Sequence, residues 1–212
     1  VDVTLDSKVD AWTYSHSNNR STHTYAYMTS NASAVGIEAG NGAHSIDNSG
    51  TVTVAAVNTV DGNRGRPASD SNYNAEAHVG AYANTIASGI AVGGGDAELR
   101  NSGSIDVSAE SHAYGYTRGD SGAGDGNALT AVGTTAAAAG MCAGSGGSQV
   151  TVENSGAVAA WSRADSEQAY AHGDDNSGAY ASAVSGATAI ELGNNAIMVV
   201  GTQIFVGHSG VL

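Results

Sequence analysis

The sequence predicts an all-β chain: a β-solenoid, or parallel β-helix, built from four units of about 53 residues in one domain, residues 1–212. Three observations carry this expectation. The triplet Asn-Ser-Gly returns at a fixed spacing. Apolar and polar residues alternate around it with the period of a strand. Most side chains are small, so the core they could fill is thin. A β-sandwich of evenly spaced strands is the alternative.

The triplet stands at Asn48-Ser49-Gly50, Asn101-Ser102-Gly103 and Asn154-Ser155-Gly156, and both spacings are 53. A degenerate fourth copy, His208-Ser209-Gly210, follows 54 residues later. The flanks keep step. Ile46, Leu99, Val152 and Val206 precede by two residues; Val52, Ile105, Val158 and Leu212 follow by four. A triplet with flanks in register is a true internal repeat, and repeats of this length stack. Asn-Ser-Gly suits a tight corner, because Asn and Gly both tolerate φ > 0. Asparagines at one place in every coil can also stack as a hydrogen-bonded ladder. The expected corners are therefore 48–50, 101–103, 154–156 and 208–210, with Asn48, Gly50, Asn101, Gly103, Asn154 and Gly156 as their key residues.

Each unit has the same internal order. A long alternating strand ("TVTVAAVNTV", "SIDVSAESHAYGYT", "AVAAWSRADSEQAYA") leads to a polar loop ("DGNRGRPASDSN", "RGDSGAGDGN", "HGDDNS"). A long stretch of small residues returns, and a short aliphatic strand reaches the next triplet. A unit of 53 is long for one coil, so it holds two coils, or one coil with a projecting hairpin arm. Four such units match the chain length, which puts the end of the chain in register with its start.

Composition narrows the function. Gly is 30 of 212, with one Pro, one Phe and two Trp. Charged residues are 13%, about half the usual share. The net charge of −13 excludes a nucleic-acid face, which needs a basic surface. No stretch reaches the ~20 apolar residues of a membrane-spanning helix, so no membrane insertion is expected. Cys142 sits alone among small residues and reads as a small buried hydrophobe.

The rhythm Ile-x-Asn-Ser-Gly-[Thr/Ser]-[Val/Ile]-x-Val resembles the passenger regions of bacterial autotransporters and haemagglutinin-like adhesins. That resemblance implies a secreted, right-handed parallel β-helix at the cell surface.

No catalytic set is expected. The seven histidines include two with a Glu two residues earlier, Glu76 with His78 and Glu110 with His112. On a strand each pair shares one face. They read as partners on a polar face rather than metal ligands. Acids gather in the loops, and Asp120, Asp125, Asp174 and Asp175 are weak Ca²⁺ candidates, without the spacing of a known calcium loop. No other cofactor is expected. Arg118-Gly119-Asp120 reads as a chance tripeptide in an exposed loop, and Asn31-Ala32-Ser33 fits a glycosylation acceptor. Trp12, Tyr14, Tyr114, Tyr116, Trp161 and Tyr170 read as caps on the core near the loops.

The expected function is structural: an extracellular homopolymer that builds a fibre, sheath or surface layer head to tail. Its contacts would be Val1, Val3 and Leu5 at one end. At the other stand Ile197, Val199, Val200, Ile204, Phe205, Val206, Val211 and Leu212, in the most apolar stretch of the chain. Open solenoid ends present unpaired strand edges that invite such docking. The alternative is an adhesin passenger that binds surface glycans through its loops.

Overall fold

Why a unit needs 53 residues is answered by strand length. In the computed structural model each unit winds once, through two strands of 17–19 residues and one of 5. There is one coil per unit, and no arm projects among the described residues. The structure describes residues 1–17, 21–69, 74–121, 126–144, 150–173, 176–192, 196–200 and 204–211; side chains are described within 1–14, 21–62, 74–118, 126–144, 150–166 and 178–191.

The described residues are all-β, with parallel strands in three stacked sheets. The outgoing sheet holds β1 (Asp2–Asp10), β5 (Thr51–Ser69), β8 (Ser104–Ser121), β11 (Ala157–Gly173) and β14 (Ile204–Val211) in that order, with β2 (Thr13–Ser17) beside β5. The return sheet holds β3 (Thr22–Ala39), β6 (Ala75–Val92), β9 (Gly126–Ala143) and β12 (Asn176–Leu192). A short sheet of β4 (His44–Asn48), β7 (Ala97–Asn101), β10 (Val150–Asn154) and β13 (Ala196–Val200) links the end of one return strand to the next outgoing strand. This is the β-solenoid expected from the repeat. The strands exceed the sequence estimate because the polar "loops" are largely strand: β5 runs through Ser69 and β8 through Ser121.

The first three units stack in register. Ile46 pairs with Leu99 and Leu99 with Val152; Val52 pairs with Ile105 and Ile105 with Val158. Equivalent aliphatic side chains thus lie one above another, as the flanking repeat implied. The fourth unit departs. Val150 pairs with Ala196 and Val158 with Ile204, a step of 46 rather than 53. Residues 173 to 176 span what residues 119 to 127 span one coil earlier, and three residues separate Leu192 from β13 where six separate Ala143 from β10. His208, Ser209 and Gly210 therefore lie inside β14 opposite Ser162, Arg163 and Ala164, and are not a fourth corner. The head-to-tail register read from chain length changes too. Asp2 pairs with Thr53, Thr53 with Asp106, Asp106 with Ala159 and Ala159 with Phe205. β14 thus fills, in a fifth coil, the slot that β1 fills in the first.

The core is thin, as the small residues required. Val52, Val54, Ile105, Val107 and Val158 of the outgoing sheet meet Ala87, Ile90, Ala138 and Met141 of the return sheet, with Leu99 and Val152 closing the short side. A smaller cluster around Met28, Val60, Val79 and Val132 lies toward the far end. Between the two runs a buried polar belt. Asn58 donates to the Ser30 and Asn84 carbonyls at 2.9 Å each, and Ser111 to the Thr135 carbonyl at 2.8 Å. The Asn58 amide N–H groups and the Ser111 hydroxyl are met by the facing sheet's backbone, which offsets their burial, while Asn58 Oδ1 is buried without a partner.

A glycine column bends the return sheet. Gly36, Gly89 and Gly140 stand at one register, with Ala189 in the fourth coil. Before the glycine of β6, odd positions face in; after it, Ile90 and Val92 do. A Cβ on Gly89 would lie 2.5 Å from both the Gly140 carbonyl oxygen and Ile105 Cγ2, so only glycine fits.

Candidate functional site

Three arrangements of chemistry-bearing residues stand out: the corner ladder, two histidine–carboxylate clusters, and the outward faces of the long sheets.

The corners are the most regular. Asn48 Nδ2 donates to Asn101 Oδ1 and Asn101 Nδ2 to Asn154 Oδ1, both at 2.7 Å, and all three side chains are buried. The Asn48 carbonyl accepts from the amides of Ser102 and Gly103, and the Asn101 carbonyl from those of Ser155 and Gly156. Each corner is thereby tied to the one before. Glycine is required here by close approach: a Cβ on Gly103 would run into the Gly50 carbonyl oxygen. It is not required for a positive φ. Among the described glycines those are Gly42 and Gly95, at the other corner of the short sheet. The ladder is structural chemistry, since its donors and acceptors point at one another.

The first histidine cluster bridges β3 and β6. Glu76 Oε2 lies 2.8 Å from His23 Nδ1 and its Oε1 lies 2.7 Å from His78 Nε2. Hydrogen bonds from His78 and His23 hold the Glu76 carboxyl below its ordinary 4.5. Tyr25 stacks on His78, ring centres 5.0 Å apart. The sequence found the Glu76–His78 pair but missed His23, which the 53-residue register brings alongside.

The second cluster bridges β8 and β11. His112 sits between Glu110 (3.4 Å) and Asp165 (3.3 Å), and Arg163 Nε lies 2.6 Å from Asp165 Oδ2. The Asp165 side chain is 1% exposed, and its oxygens have charged neighbours rather than aligned hydrogen-bond donors. A buried acid persists only when so paired. In both clusters the carboxylates and imidazoles face one another across adjacent strands, an arrangement that suits joining coils. Among the described residues no group of three or more His, Cys, Asp or Glu is placed to hold a metal. Of the calcium candidates, Asp125, Asp174 and Asp175 lie outside the described residues. Asp120 is described only as backbone within β8. Arg118-Gly119-Asp120 likewise sits in that strand, not in a loop.

The faces differ in charge. On the outgoing sheet Asp2, Asp6 and Asp10 of β1, Asp61 of β5 and Asp106 of β8 point out. On the short sheet Arg100 bridges Glu98 (2.6 Å) and Glu153 (3.1 Å), in the open. Such exposed pairs add little. Two shallow hollows beside it are lined by Asp47, Arg100 and Glu153 and by His44, Asp96 and Glu98. The return sheet carries tyrosines instead: Tyr25, Tyr27, Tyr82 and Tyr180 are exposed.

Trp12 and Tyr14 do not cap the core; they stack on each other in solvent, 66% and 54% exposed with ring centres 6.2 Å apart. Trp161 is also exposed, and the side chain of Tyr170 lies outside the described residues. Val3 and Leu5 face inward against this chain's own core. Val1 is exposed and its amino group donates to the Thr51 carbonyl at 2.8 Å. Ile197, Val199 and Val200 lie in β13, and Ile204, Phe205, Val206 and Val211 in β14, paired with β10 and β11 of the same chain. The apolar tail is thus part of the stack, not a free docking strand; Leu212 lies outside the described residues. Cys142 is half-buried on the outward side of β9, where burial pushes its thiol up. Asn31 is exposed on β3, its Oδ1 accepting from Asn84 Nδ2 at 2.9 Å. Among the described residues no helix is long and apolar enough to cross a membrane.

Compared with known proteins, the chain matches no family model, no curated protein and no solved structure.

Proposed function

We propose that the protein is a structural component of an extracellular fibre, sheath or surface layer, in which copies stack coil on coil. The reading assigns it no catalysis. One observation carries it: the first coil is shaped like an interior coil. β3 and β4 are each paired on one edge only among the described residues. A Cβ on Gly40 or Gly50 meets nothing within 4 Å, whereas one on their counterparts Gly93 and Gly103 meets the preceding coil. Glycine stands where this chain has no use for it, and a coil laid on that end would need it.

The far end constrains the joint. Each column glycine would strike the next coil's carbonyl if it carried a Cβ, and Ala189 does carry one. With β14 in the β1 slot as well, the joint between copies is offset from the step within a chain.

Electron microscopy and fibre diffraction of the purified chain test this. Filaments with a spacing of about 4.8 Å along their axis support it. Gly50→Leu then leaves the fold intact and stops growth. Single particles at every concentration overturn it.

A second reading, an adhesin binding surface glycans, is favoured by the exposed Trp12–Tyr14 pair, whose near-parallel rings offer a platform to a sugar. Tryptophan fluorescence titrated with oligosaccharides tests it: no change on any sugar rejects it.

A further inference from the structure

We infer that the outer face of the return sheet is where two copies of this chain pair face to face. Three observations converge on it. The exposed large apolar side chains concentrate there: Tyr25, Tyr27, Tyr82, Ile86, Tyr180 and Val184 are 37–70% exposed. Large aromatic and aliphatic side chains gathered on one outward face, with Thr29, Asn31, Ser33 and Asn84 among them, mark an interface. Charge singles out the same face. The chain carries −13, and the outgoing and short sheets point acids outward. On the return sheet Glu76 stands at one end and Glu38 and Glu191 at the other. Between those rungs no Asp, Glu, Lys or Arg points out. Between those rungs two copies can close on each other without setting like charges together; a two-fold axis along the strands brings like charges together only at the outer rung, where Glu38 of one copy lies over Glu191 of the other.

Size and relief agree. Strands of 17–18 residues make the face about 60 Å long, and four strands make it about 19 Å wide. Its uncharged stretch, 14 residues long on β3, is about 46 Å by 19 Å. Both footprints reach the ~800 Å² per partner of a stable complex. Tyr27 lies against Gly80 and Tyr82 against Gly133, so the rings lie low and the sheet stays flat. β9 offers Ala131, Gly133, Ala137 and Ala139, a row of small residues beside β6. A two-fold axis along the strands, between β6 and β9, lays β6 of one copy over β9 of the other. Ile86 then meets the Ala137 position of its partner, since the two share a rung. The surface is self-complementary, as a two-fold contact requires.

The contact is independent of end-to-end stacking, and one experiment separates them. Sedimentation analysis of the purified chain at about 10–100 µM should give the mass of two copies. Ile86→Lys with Val184→Lys, both in solvent, should weaken pairing by at least about 100-fold with the urea midpoint unchanged. Thr4→Lys with Ser45→Lys adds the same charge to the other two faces and should change it less than about 3-fold. Where filaments form, the face variant should give filaments of single width. Pairs without filaments support this contact and reject the fibre reading. A wild-type chain of single-copy mass up to about 0.5 mM overturns it. So does equal loss in the control, or a single-copy chain whose tyrosine face captures neutral oligosaccharides.

Discussion

Gly50 and Gly103 occupy the same corner one coil apart, and only the second is pressed against another backbone. The pair isolates close approach from every other property of glycine. Gly103→Ala is expected to destabilise by about 3 kcal/mol, the upper range for overpacking, because the obstacle is a carbonyl that cannot swing aside. Gly50→Ala should stay within about 0.5 kcal/mol. Urea midpoints of the two variants check both; equal values would reject the stacking geometry. Asn101 stands in the middle of the ladder, donating to one neighbour and accepting from the other. Asn101→Ala leaves the Asn48 amide and the Asn154 carbonyl buried without partners, at a cost of about 2–4 kcal/mol. Replacing Asn48 should cost less, since one side of the ladder is already open. The same denaturation experiment ranks them. These residues were legible in the sequence because the triplet is distinctive. The reason for the glycine was not, because close approach depends on a neighbour 53 residues away rather than on local φ.

At the scale of elements, strand order could be read from alternation, but strand ends could not. Segments such as Asp61–Ser69 are rich in turn-forming residues, yet β5 continues through them because a parallel neighbour supplies hydrogen bonds on each side. The flip of inside and outside at Gly89 was equally hidden: it is a bend set by sheet-to-sheet distance, not by a run of residues. Partners across the step were invisible one strand at a time, and so His23 and Asp165 were missed. The His23–Glu76–His78 bridge has a measurable consequence. Glu76 ionises more readily when folded, so its stabilisation is complete above about pH 4.5 and is lost as pH falls through the lower folded value. Wild type and Glu76→Gln should therefore differ most in urea midpoint at pH 6–7 and converge toward pH 3. A gap that widens on acidification would contradict the bridge.

For the whole molecule, the repeat was readable and its last member misleading. His208-Ser209-Gly210 looks like the corner because two of its three letters match, but pairing follows the smaller number of residues between strands after Gly173 and Leu192. The segregation of charge onto two of three faces was also hidden, since it appears only when alternate residues are assigned to faces. Winding one coil per unit has a mechanical side. A coil held by parallel neighbours above and below, with no thread passing through it, can be peeled off like a turn of rope from a drum. Pulled by its two ends, the chain should lengthen in discrete jumps. A full turn releases about 180 Å of extended chain and the 46-residue turn about 160 Å. Optical-trap traces with those two jump sizes would count the turns of the drum directly; smooth lengthening would mean that the turns let go together.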